Sequence, residues 1–471
     1  MSGRRDNQLE FGGDFWLPGG DADPKAGVLQ VGPGMAPTIA TAEPLLSPMR
    51  EVSRTSDPDG RTTVIQEDAE EDLTIPVTIH GLDDHGRPLT LISATTVYWG
   101  TPDEAGYVHR FRGIQAVAGG HVRGRDHRFT GFRVRLRNTE AWRPWLHQAQ
   151  RTAGVPLADG GSVALEDLPG SGQASQPALW LAGQALQPST LREVGTYFVQ
   201  PLISLFTLAT GRACPPLAFQ VQEDSPGGPW WDVYSAALQA DEETTSRRRD
   251  QAHWLLRPAD LGLSQVGTWL DKVHLLGPLP AVVADLTQAD AISLDTQALL
   301  LATVAEGLHR RLYPDDLRFH EDKNLNTEVA ERVQAAAGDA VDLIHAKAKD
   351  AVNGLLKHVG DPGYPKRLAR LANAAGDTAP EITGRTPRWK NLVSDIRNEY
   401  AHRISGDFLN DKDVDDRLTV AFSLRWLLTT MLLLQSGIDA SVLRTRLAAH
   451  EPYRRFLLNA QEWCPSIYTP S

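Results

Sequence analysis

Cysteine is scarce in this chain, and its scarcity excludes two classes of protein at once. The 471 residues contain only two cysteines, Cys214 and Cys464. Two thiols can form neither a disulfide framework nor a four-cysteine zinc site. They are most simply interpreted as the reduced thiols of a cytosolic protein, so we expect a cytoplasmic location.

Long hydrophobic runs and an excess of basic residues are lacking as well. The first residues have no apolar core of the kind a signal peptide needs. The most apolar stretch, 424–434, contains Arg425 and is too short to span a bilayer, so it predicts a buried helix and no membrane partner. With 47 basic and 59 acidic side chains the net charge is −12. A nucleic-acid site on such a chain must therefore be a local basic patch.

The two halves of the chain differ in periodicity, and the length predicts two or three domains. Up to about residue 185, turns rich in glycine and proline separate short runs, which alternate at 73–79 and 132–136 and are rich in β-branched and aromatic residues at 89–99. From about residue 236 the apolar residues recur at helical spacing. The predicted fold class is α+β multidomain, with a β-rich, sandwich-like or barrel-like N-terminal module followed by an all-α helical bundle.

The predicted organisation has four parts. They are a mobile tail at 1–10, a β-rich domain at 11–235, a helical connector at 236–290 and a helical domain at 291–460. One helix is predicted inside the β-rich domain near 190–211, because Thr190 and Glu193 form a capping box. The predicted helices of the C-terminal part are 259–272, 293–312, 327–358, 364–375, 387–403, 411–436 and 440–449.

One predicted helix carries a group of residues suited to phosphodiester chemistry. Arg397 and His402 are five residues apart, which places them about 140° apart around a helix axis. Asn398 and His402 are four apart and share a face, so the amide can hold the imidazole ring. A permanent cation, an amide and a group that titrates near neutrality are what phosphodiester cleavage needs without a metal. The alternative is a solvated helix face on which the histidine ring is hydrogen-bonded and has no catalytic role.

This segment resembles the HEPN domain, in which an arginine, commonly followed by asparagine, precedes a histidine by four to six residues. Three further segments resemble the Apea-like HEPN family in particular. They are the N-terminal block 11–19 with 27–29, the arginine-rich strand and tryptophan turn at 129–146, and the first HEPN helix at 299–312. By this resemblance the part at 11–235 is an Apea-type N-terminal domain and the part at 291–460 is the HEPN domain.

The resemblance implies a metal-independent endoribonuclease of bacterial anti-phage defence, acting through abortive infection on host or phage RNA, with tRNA as a candidate. His402 would transfer protons, Arg397 would bind the scissile phosphate, and Asn398 would orient its neighbours. Glu306 would be an accessory polar residue. The implied protein is a homodimer or higher homo-oligomer with a composite site, which responds to a phage-encoded trigger. The alternative is a non-catalytic HEPN protein that binds nucleotide or RNA, or dimerises, with the N-terminal module as binding platform.

Other charged residues are weaker candidates. The basic residues near the motif predict an RNA-binding path or ordinary surface charge, and they are Arg385, Arg388, Lys390 and Arg403. The sequence Glu306-x-x-His309 fits half of a di-iron site, but no second copy exists, so we expect no metal. No phosphate-binding glycine loop is present, so we expect no cofactor. The arginines at 133, 135 and 137 alternate along one predicted strand, which usually indicates a solvated face; the alternative is a contact with a ligand or RNA.

Overall fold

The computed structural model describes most of the chain, and its contacts form two compact units. The described residues are 8–19, 23–46, 49–56, 62–68, 73–142, 154–168, 178–223, 227–238, 254–288, 292–318, 323–341, 360–402 and 411–469. The β-rich unit comprises Met1–Ile203 and Cys214–Arg249, and the helical unit comprises Ser204–Ala213 and Asp250–Ser471. A β module followed by a helical region is the predicted fold class, which is confirmed. The finer domain boundaries stay a prediction.

The strands of the β-rich unit are short and closely spaced, as expected from the density of turn signals. They are β1 (Leu9–Trp16), β2 (Lys25–Gly32), β3 (Met35–Thr41), β4 (Met49–Ser56), β5 (Thr62–Asp68), β6 (Val77–Asp83), β7 (Pro88–Trp99), β8 (His109–Arg112), β9 (Gln115–Ala118), β10 (Arg128–Leu136), β11 (Val155–Pro156), β12 (Ser162–Leu168), β13 (Ala178–Thr190), β14 (Pro216–Gln222) and β15 (Trp230–Tyr234). A 3-10 turn, Glu140–Trp142, follows β10. Strands β4 and β5 pair with each other.

Six of these strands close into an antiparallel barrel. The order is β7–β6–β1–β2–β3–β8, and β8 pairs with β7 again, so the ring has no free edge. The inward side chains form one fully buried cluster that includes Phe15, Leu29, Ile39, Leu91 and Phe111. Alternation along each strand therefore supplies the barrel core.

The sheet continues beyond the barrel because β7 pairs with two successive strands along one edge. Its residues Thr95–Trp99 pair with β8, and Leu89–Ile92 pair with β9. Gly113 lies between β8 and β9, where a Cβ atom would come within 2.4 Å of the Leu91 Cδ1 atom. Only glycine permits this close approach. From β9 the antiparallel extension runs through β15, β14, β10, β13, β12 and β11.

Two predictions about the strands are wrong in detail. The alternation that begins at Leu73 predicts a strand there, but β6 begins at Val77, because Pro76 has no N–H to donate to a sheet. The arginine face of β10 is not freely solvated either. Arg133 lies between tryptophan rings, and burial lowers the pKa of both Arg133 and Arg135.

The helices include three that the sequence pattern missed, and the predicted helix at 327–358 lies outside the described residues beyond residue 341. The helices are α1 (Leu191–Val194), α2 (Gln200–Thr210), α3 (Leu263–Leu276), α4 (Leu279–Leu286), α5 (Leu294–Leu312), α6 (Lys323–Val341), α7 (Tyr364–Ala375), α8 (Thr386–His402), α9 (Asp411–Gln435), α10 (Ala440–Ala449), α11 (Glu451–Trp463) and α12 (Pro465–Tyr468). A π-helical turn, Gly195–Val199, joins α1 to α2, and a 3-10 turn, Pro380–Thr383, precedes α8. Helices α4, α11 and α12 were missed, and each has a proline in its first turn.

Helix α9 is the core helix of the helical unit. It packs against α5, α7, α8 and α11. Residues Lys412–Gln435 are long and apolar enough to cross a membrane by length and composition, but 72% of the apolar window is buried inside the protein. Burial on several sides is what a central bundle helix requires. The site residues therefore project from helices that this core holds in place.

Candidate functional site

Helix α8 is oriented by its buried face, which places the predicted motif at the edge of the bundle. Trp389, Val393 and Ile396 are buried at helical spacing. The Trp389 Nε1 atom donates to the Ser423 Oγ atom on α9 at 2.8 Å, which fixes the rotation of α8. Arg397 follows the last of these core residues and is half-buried.

Arg397 forms an ion pair with Glu306, a residue 91 positions earlier in the chain. The Arg397 Nη2 atom donates to the Glu306 Oε2 atom at 2.7 Å. Glu306 lies on α5, so the pair joins α5 to α8. The structure thus brings together two of the residues that the sequence singled out.

An aromatic ring supports the same guanidinium from a third helix. The Arg397 Cζ atom lies 4.7 Å from the ring centroid of Tyr364, the first residue of α7. The Tyr364 hydroxyl donates to the carbonyl of Ala302 on α5 at 3.0 Å. Burial raises the pKa of Tyr364 above its ordinary value, so the hydroxyl stays protonated and keeps donating. The ring is therefore anchored beneath the guanidinium.

These contacts leave most of the Arg397 guanidinium available. A guanidinium has five N–H donors. Within the part of the chain that the structure describes, Arg397 donates to one acceptor, the Glu306 carboxylate. Its side chain is 34% exposed. A phosphate oxygen can therefore reach a cation whose position is already set, which is the arrangement that stabilises charge on a scissile phosphate.

A chain of alternating charges extends from Glu306. The Arg310 Nη2 atom donates to Glu306 Oε1 at 3.2 Å, and Arg310 Nη1 donates to Asp361 Oδ2 at 3.4 Å. The Nη2 atom of buried Arg367 lies 3.6 Å from the same Asp361 oxygen. With Arg397, this makes three arginines around two carboxylates. The cluster is net positive in an acidic protein, so it favours an anionic substrate.

The next turn of α8 is tied to other helices. The Arg417 Nη2 atom on α9 lies 3.4 Å from the Glu399 Oε2 atom, and Arg417 Nε lies 3.1 Å from Asp295 Oδ1 at the start of α5. Arg417 is buried. Glu399 and Arg397 therefore anchor α8 on two sides.

Glu306 and His309 have separate partners. His309 is buried, and its Nε2 atom lies 3.0 Å from the Asp316 Oδ2 atom. Burial is the main cause that lowers the pKa of His309, against the opposing effect of Asp316. The described residues contain no group of three or more His, Cys, Asp or Glu side chains placed to hold a metal ion. Glu306 contacts arginines, and His309 contacts an aspartate.

The remaining motif residues have mixed outcomes. Asn398 is exposed on α8. His402 is the last residue of α8, and its side chain lies outside the described part of the structure. The contact between the Asn398 amide and the His402 ring therefore stays a prediction. Arg403 also lies outside the described residues.

The other predicted RNA-binding residues lie at the opposite end of α8. The Arg385 Nη2 atom donates to the carbonyl of Thr469 at 3.2 Å, and Arg388 Nη1 donates to the carbonyl of Ser466 at 3.0 Å. Lys390 is half-buried. Arg388 and Arg397 are nine residues apart, about 13 Å along the axis. The contacts of Arg385 and Arg388 support the C-terminal segment, and their RNA-binding role stays a prediction.

Sequence reasoning missed the residues that support Arg397 from other elements. Tyr364, Arg310, Asp361 and Arg367 carry no motif of their own. Their one local signal is that Gly363-Tyr364-Pro365 marks a helix start, since proline is favoured in a first helical turn. This signal predicts a helix and no site.

Part of the helical unit matches a known family. The family described as Apea-like HEPN matches residues 299–442. The matched range contains Glu306 on α5, Tyr364 on α7 and Arg397 on α8. Comparison with curated proteins and with solved structures gave no significant match.

Proposed function

The chain carries an Apea-like HEPN domain at residues 299–442, and from that premise we propose that it is a metal-independent endoribonuclease. HEPN domains are generally ribonucleases. The observation that carries the proposal is the Arg397 guanidinium, which Glu306 and Tyr364 hold in place while it donates to one acceptor among the described residues. His402 supplies the titratable group five residues along the same helix.

The reaction uses groups that this chain provides. A neutral imidazole takes the proton from the ribose 2′-hydroxyl, and the 2′-oxygen attacks the adjacent phosphorus. The bond from phosphorus to the 5′-oxygen breaks, and an imidazolium returns a proton to that oxygen. The products are a 2′,3′-cyclic phosphate and a free 5′-hydroxyl. Arg397 donates to the phosphate oxygens as their charge increases.

The substrate class follows from this chemistry. The attacking oxygen belongs to the substrate, so the reaction requires RNA and excludes DNA. We propose host or phage RNA as substrate, with tRNA as the first to test. A proton acceptor and a proton donor are both required, and a second copy of the chain would supply the second imidazole. The proposed active form is therefore a homodimer or a higher homo-oligomer.

The proposed biological role is anti-phage defence by abortive infection in the cytoplasm, without a membrane partner. A nuclease whose composite site is always assembled would damage its own cell. We therefore propose that the β-rich unit restrains the nuclease or senses infection. A phage-encoded trigger then changes how two copies of the chain pack.

The test is RNA digestion in EDTA by the full chain and by His402→Ala. The proposal predicts that the wild type cleaves in chelator and that His402→Ala is slower by a factor of about 100 or more. The new 3′ ends resist phosphatase until acid opens the cyclic phosphate. The same RNA with a 2′-deoxy sugar at the cleavage position stays intact.

Matched controls separate this result from contamination and from unfolding. His274 is an exposed histidine on α3, and His274→Ala is expected to cleave at the wild-type rate. Calorimetry of each variant checks the fold. Equal cleavage by the wild type and His402→Ala would contradict the proposal and identify a contaminant. Retained RNA binding without cleavage by any variant would favour the non-catalytic alternative.

A further inference from the structure

The helical unit contains a cavity that shares no lining residue with the Arg397 site. Its volume is about 230 Å³. Its walls come from the end of α2, the segment at 255, the end of α4, the middle of α9 and the junction of α10 with α11. Ligand pockets for drug-sized molecules measure about 300–1,000 Å³. This cavity therefore suits a smaller molecule.

One part of the cavity wall is polar and basic. Arg212 and Arg425 are among its lining residues. Buried His450 lines it too, with Thr210 and Thr429, and the Thr210 hydroxyl donates to the Phe206 carbonyl at 2.8 Å. None of the described residues that line the cavity is acidic. Two permanent cations without an acidic partner among the described lining residues suit an anion, and phosphate above all.

The other part of the wall is apolar and well packed. It consists of Leu208, Leu255, Trp426 and Pro452. The Trp426 ring packs edge-on against the His450 ring with the centroids 5.6 Å apart, and against Tyr453 with the centroids 5.2 Å apart. A cavity lined by both apolar and basic residues indicates a ligand that has both an anionic group and a less polar body.

Hydrogen bonds to the backbone hold the cavity in shape. The Arg425 Nη2 atom donates to the carbonyl of Leu286 at 3.2 Å. The Leu256 amide donates to the carbonyl of Ala209 at 2.8 Å, and Gln288 Nε2 donates to that of Gly211 at 3.0 Å. The α4 end, the 255 segment and the α2 end are thus joined to one another. A site that is already formed loses little entropy when a ligand binds.

The start of α11 adds to the attraction for an anion. This helix begins at Glu451, and its N-cap residue His450 makes no side-chain capping hydrogen bond. The amide groups at a helix N-terminus favour negative charge. Glu451 opposes this effect, but its carboxylate is paired with Arg455 on the next turn.

We propose that this cavity binds a small organic phosphate no larger than a mononucleotide. The phosphate group lies against Arg212 and Arg425, and the sugar or base lies against Leu208 and Trp426. This site is separate from the proposed nuclease site, and the proposal does not rest on that function.

The experiment is isothermal titration calorimetry of the full chain in phosphate-free buffer. The probes are AMP, ribose 5-phosphate, inorganic phosphate and adenosine. We expect AMP or ribose 5-phosphate to bind about tenfold or more tightly than adenosine and inorganic phosphate. Arg212→Gln and Arg425→Gln each weaken the best probe by about tenfold or more, since each removes a charge-assisted contact.

Two further variants make the result specific. Arg444 is an exposed arginine on α10 that does not line the cavity, and Arg444→Gln keeps wild-type affinity. Arg397→Ala also keeps it, which distinguishes this cavity from the nuclease site. If Arg425→Gln fails to fold, Arg212→Gln decides the matter, and calorimetric melting checks the fold of that variant.

Several results would overturn the proposal. They are the absence of binding by every probe, wild-type affinity in Arg212→Gln, loss of binding in Arg397→Ala, and inorganic phosphate binding as tightly as AMP and ribose 5-phosphate. The first three exclude the cavity as the phosphate site. The fourth excludes the apolar wall as a part of it.

Discussion

Arg133 in the β-rich unit and Arg397 in the helical unit each contact aromatic rings and a carboxylate. The Arg133 side chain is mostly buried, whereas the Arg397 side chain is about one-third exposed. The Arg133 Cζ atom lies 4.1 Å from the ring centroid of Trp230 and 5.2 Å from that of Trp180. Its Nε atom donates to Gln220 Oε1 at 2.6 Å, and its side chain is 13% exposed. Arg397 has one ring, one carboxylate and 34% exposure.

The difference shows which of the two arginines is suited to a substrate. Burial lowers the pKa of Arg133, against the opposing effect of Glu166, so its partners compensate for lost solvation. Its guanidinium already contacts two rings, a carboxylate and an amide oxygen, and its side chain is only 13% exposed. One ring and one carboxylate position Arg397 and leave its other donors available. Similar contacts thus build a structural ion pair in one unit and a candidate phosphate site in the other.

The largest expected effect comes from exchanging each arginine for lysine. Arg397→Lys keeps the charge but loses the planar donors and the stacking on Tyr364, so we expect the single-turnover RNA cleavage rate to fall about 100-fold or more. Arg133→Lys leaves the rate unchanged. Rapid-quench kinetics with circular dichroism of both variants measures this contrast. A fall of similar size in Arg133→Lys would contradict the conclusion that only Arg397 of the two is suited to a substrate.

Burial of a histidine in the β-rich unit also predicts that the stability of this unit depends on pH. His109 is fully buried on β8, and burial lowers its pKa from 6.5 to about 4. The unfolded chain takes up the proton below pH 6.5 and the folded chain does not, so this contribution is complete above pH 6.5 and is lost as the pH falls toward 4. It amounts to at most about 3 kcal/mol.

Calorimetric melting across this pH range, with wild type and His109→Phe, isolates that contribution. The variant has no titrating ring, so its melting temperature should fall less steeply with acid than that of the wild type. Parallel curves for the two proteins would show that His109 does not control the acid stability of the unit.

A smaller stability effect is expected from removing each guanidinium. Arg133→Met leaves Glu166 and Gln220 without their shared partner, so we expect a loss of about 2 kcal/mol. Arg397→Met removes a more exposed pair and should cost below about 1 kcal/mol. Urea denaturation of both variants measures the difference. Equal losses of unfolding free energy would mean that the difference in burial does not distinguish the two arginines.

The smallest effect concerns the ring under Arg397. Tyr364→Leu removes the cation–π contact, worth about 1 kcal/mol, so cleavage should slow about fivefold. Tyr364→Phe keeps the ring and loses the hydroxyl bond to Ala302, so it should cleave at nearly the wild-type rate and melt slightly earlier. Equal rates in both variants would assign Tyr364 to packing alone.

Local patterns predicted the elements well, and long-range contacts decided the sites. The alternation of Phe132, Val134 and Leu136 predicted β10, and the helical spacing predicted α8 as the helix at 387–403. The enclosure of Arg133 depends on tryptophans from two other strands, β13 and β15. No periodicity within β10 reports these neighbours, so that face was wrongly predicted to be solvated.

The candidate site shows the same division. Arg397 and Glu306 lie in segments that resemble a known family, and this resemblance singled them out. Their 2.7 Å ion pair depends on how α5 and α8 pack. Tyr364 contributes through a third helix and has no distinguishing neighbours in the chain. Residues that act through tertiary contacts are found only when the packing is known.

The most direct test of whether the Arg397 guanidinium contacts the scissile phosphate is a double-mutant cycle that measures RNA affinity. The ligand is RNA with a 2′-deoxy sugar at the mapped cleavage position, with or without a neutral methylphosphonate at the scissile linkage. If Arg397 contacts that phosphate, Arg397→Ala and the methylphosphonate each weaken binding, and the two losses together are smaller than their sum by about 1 kcal/mol or more. Additive losses would show that Arg397 binds no scissile phosphate, and would contradict the account.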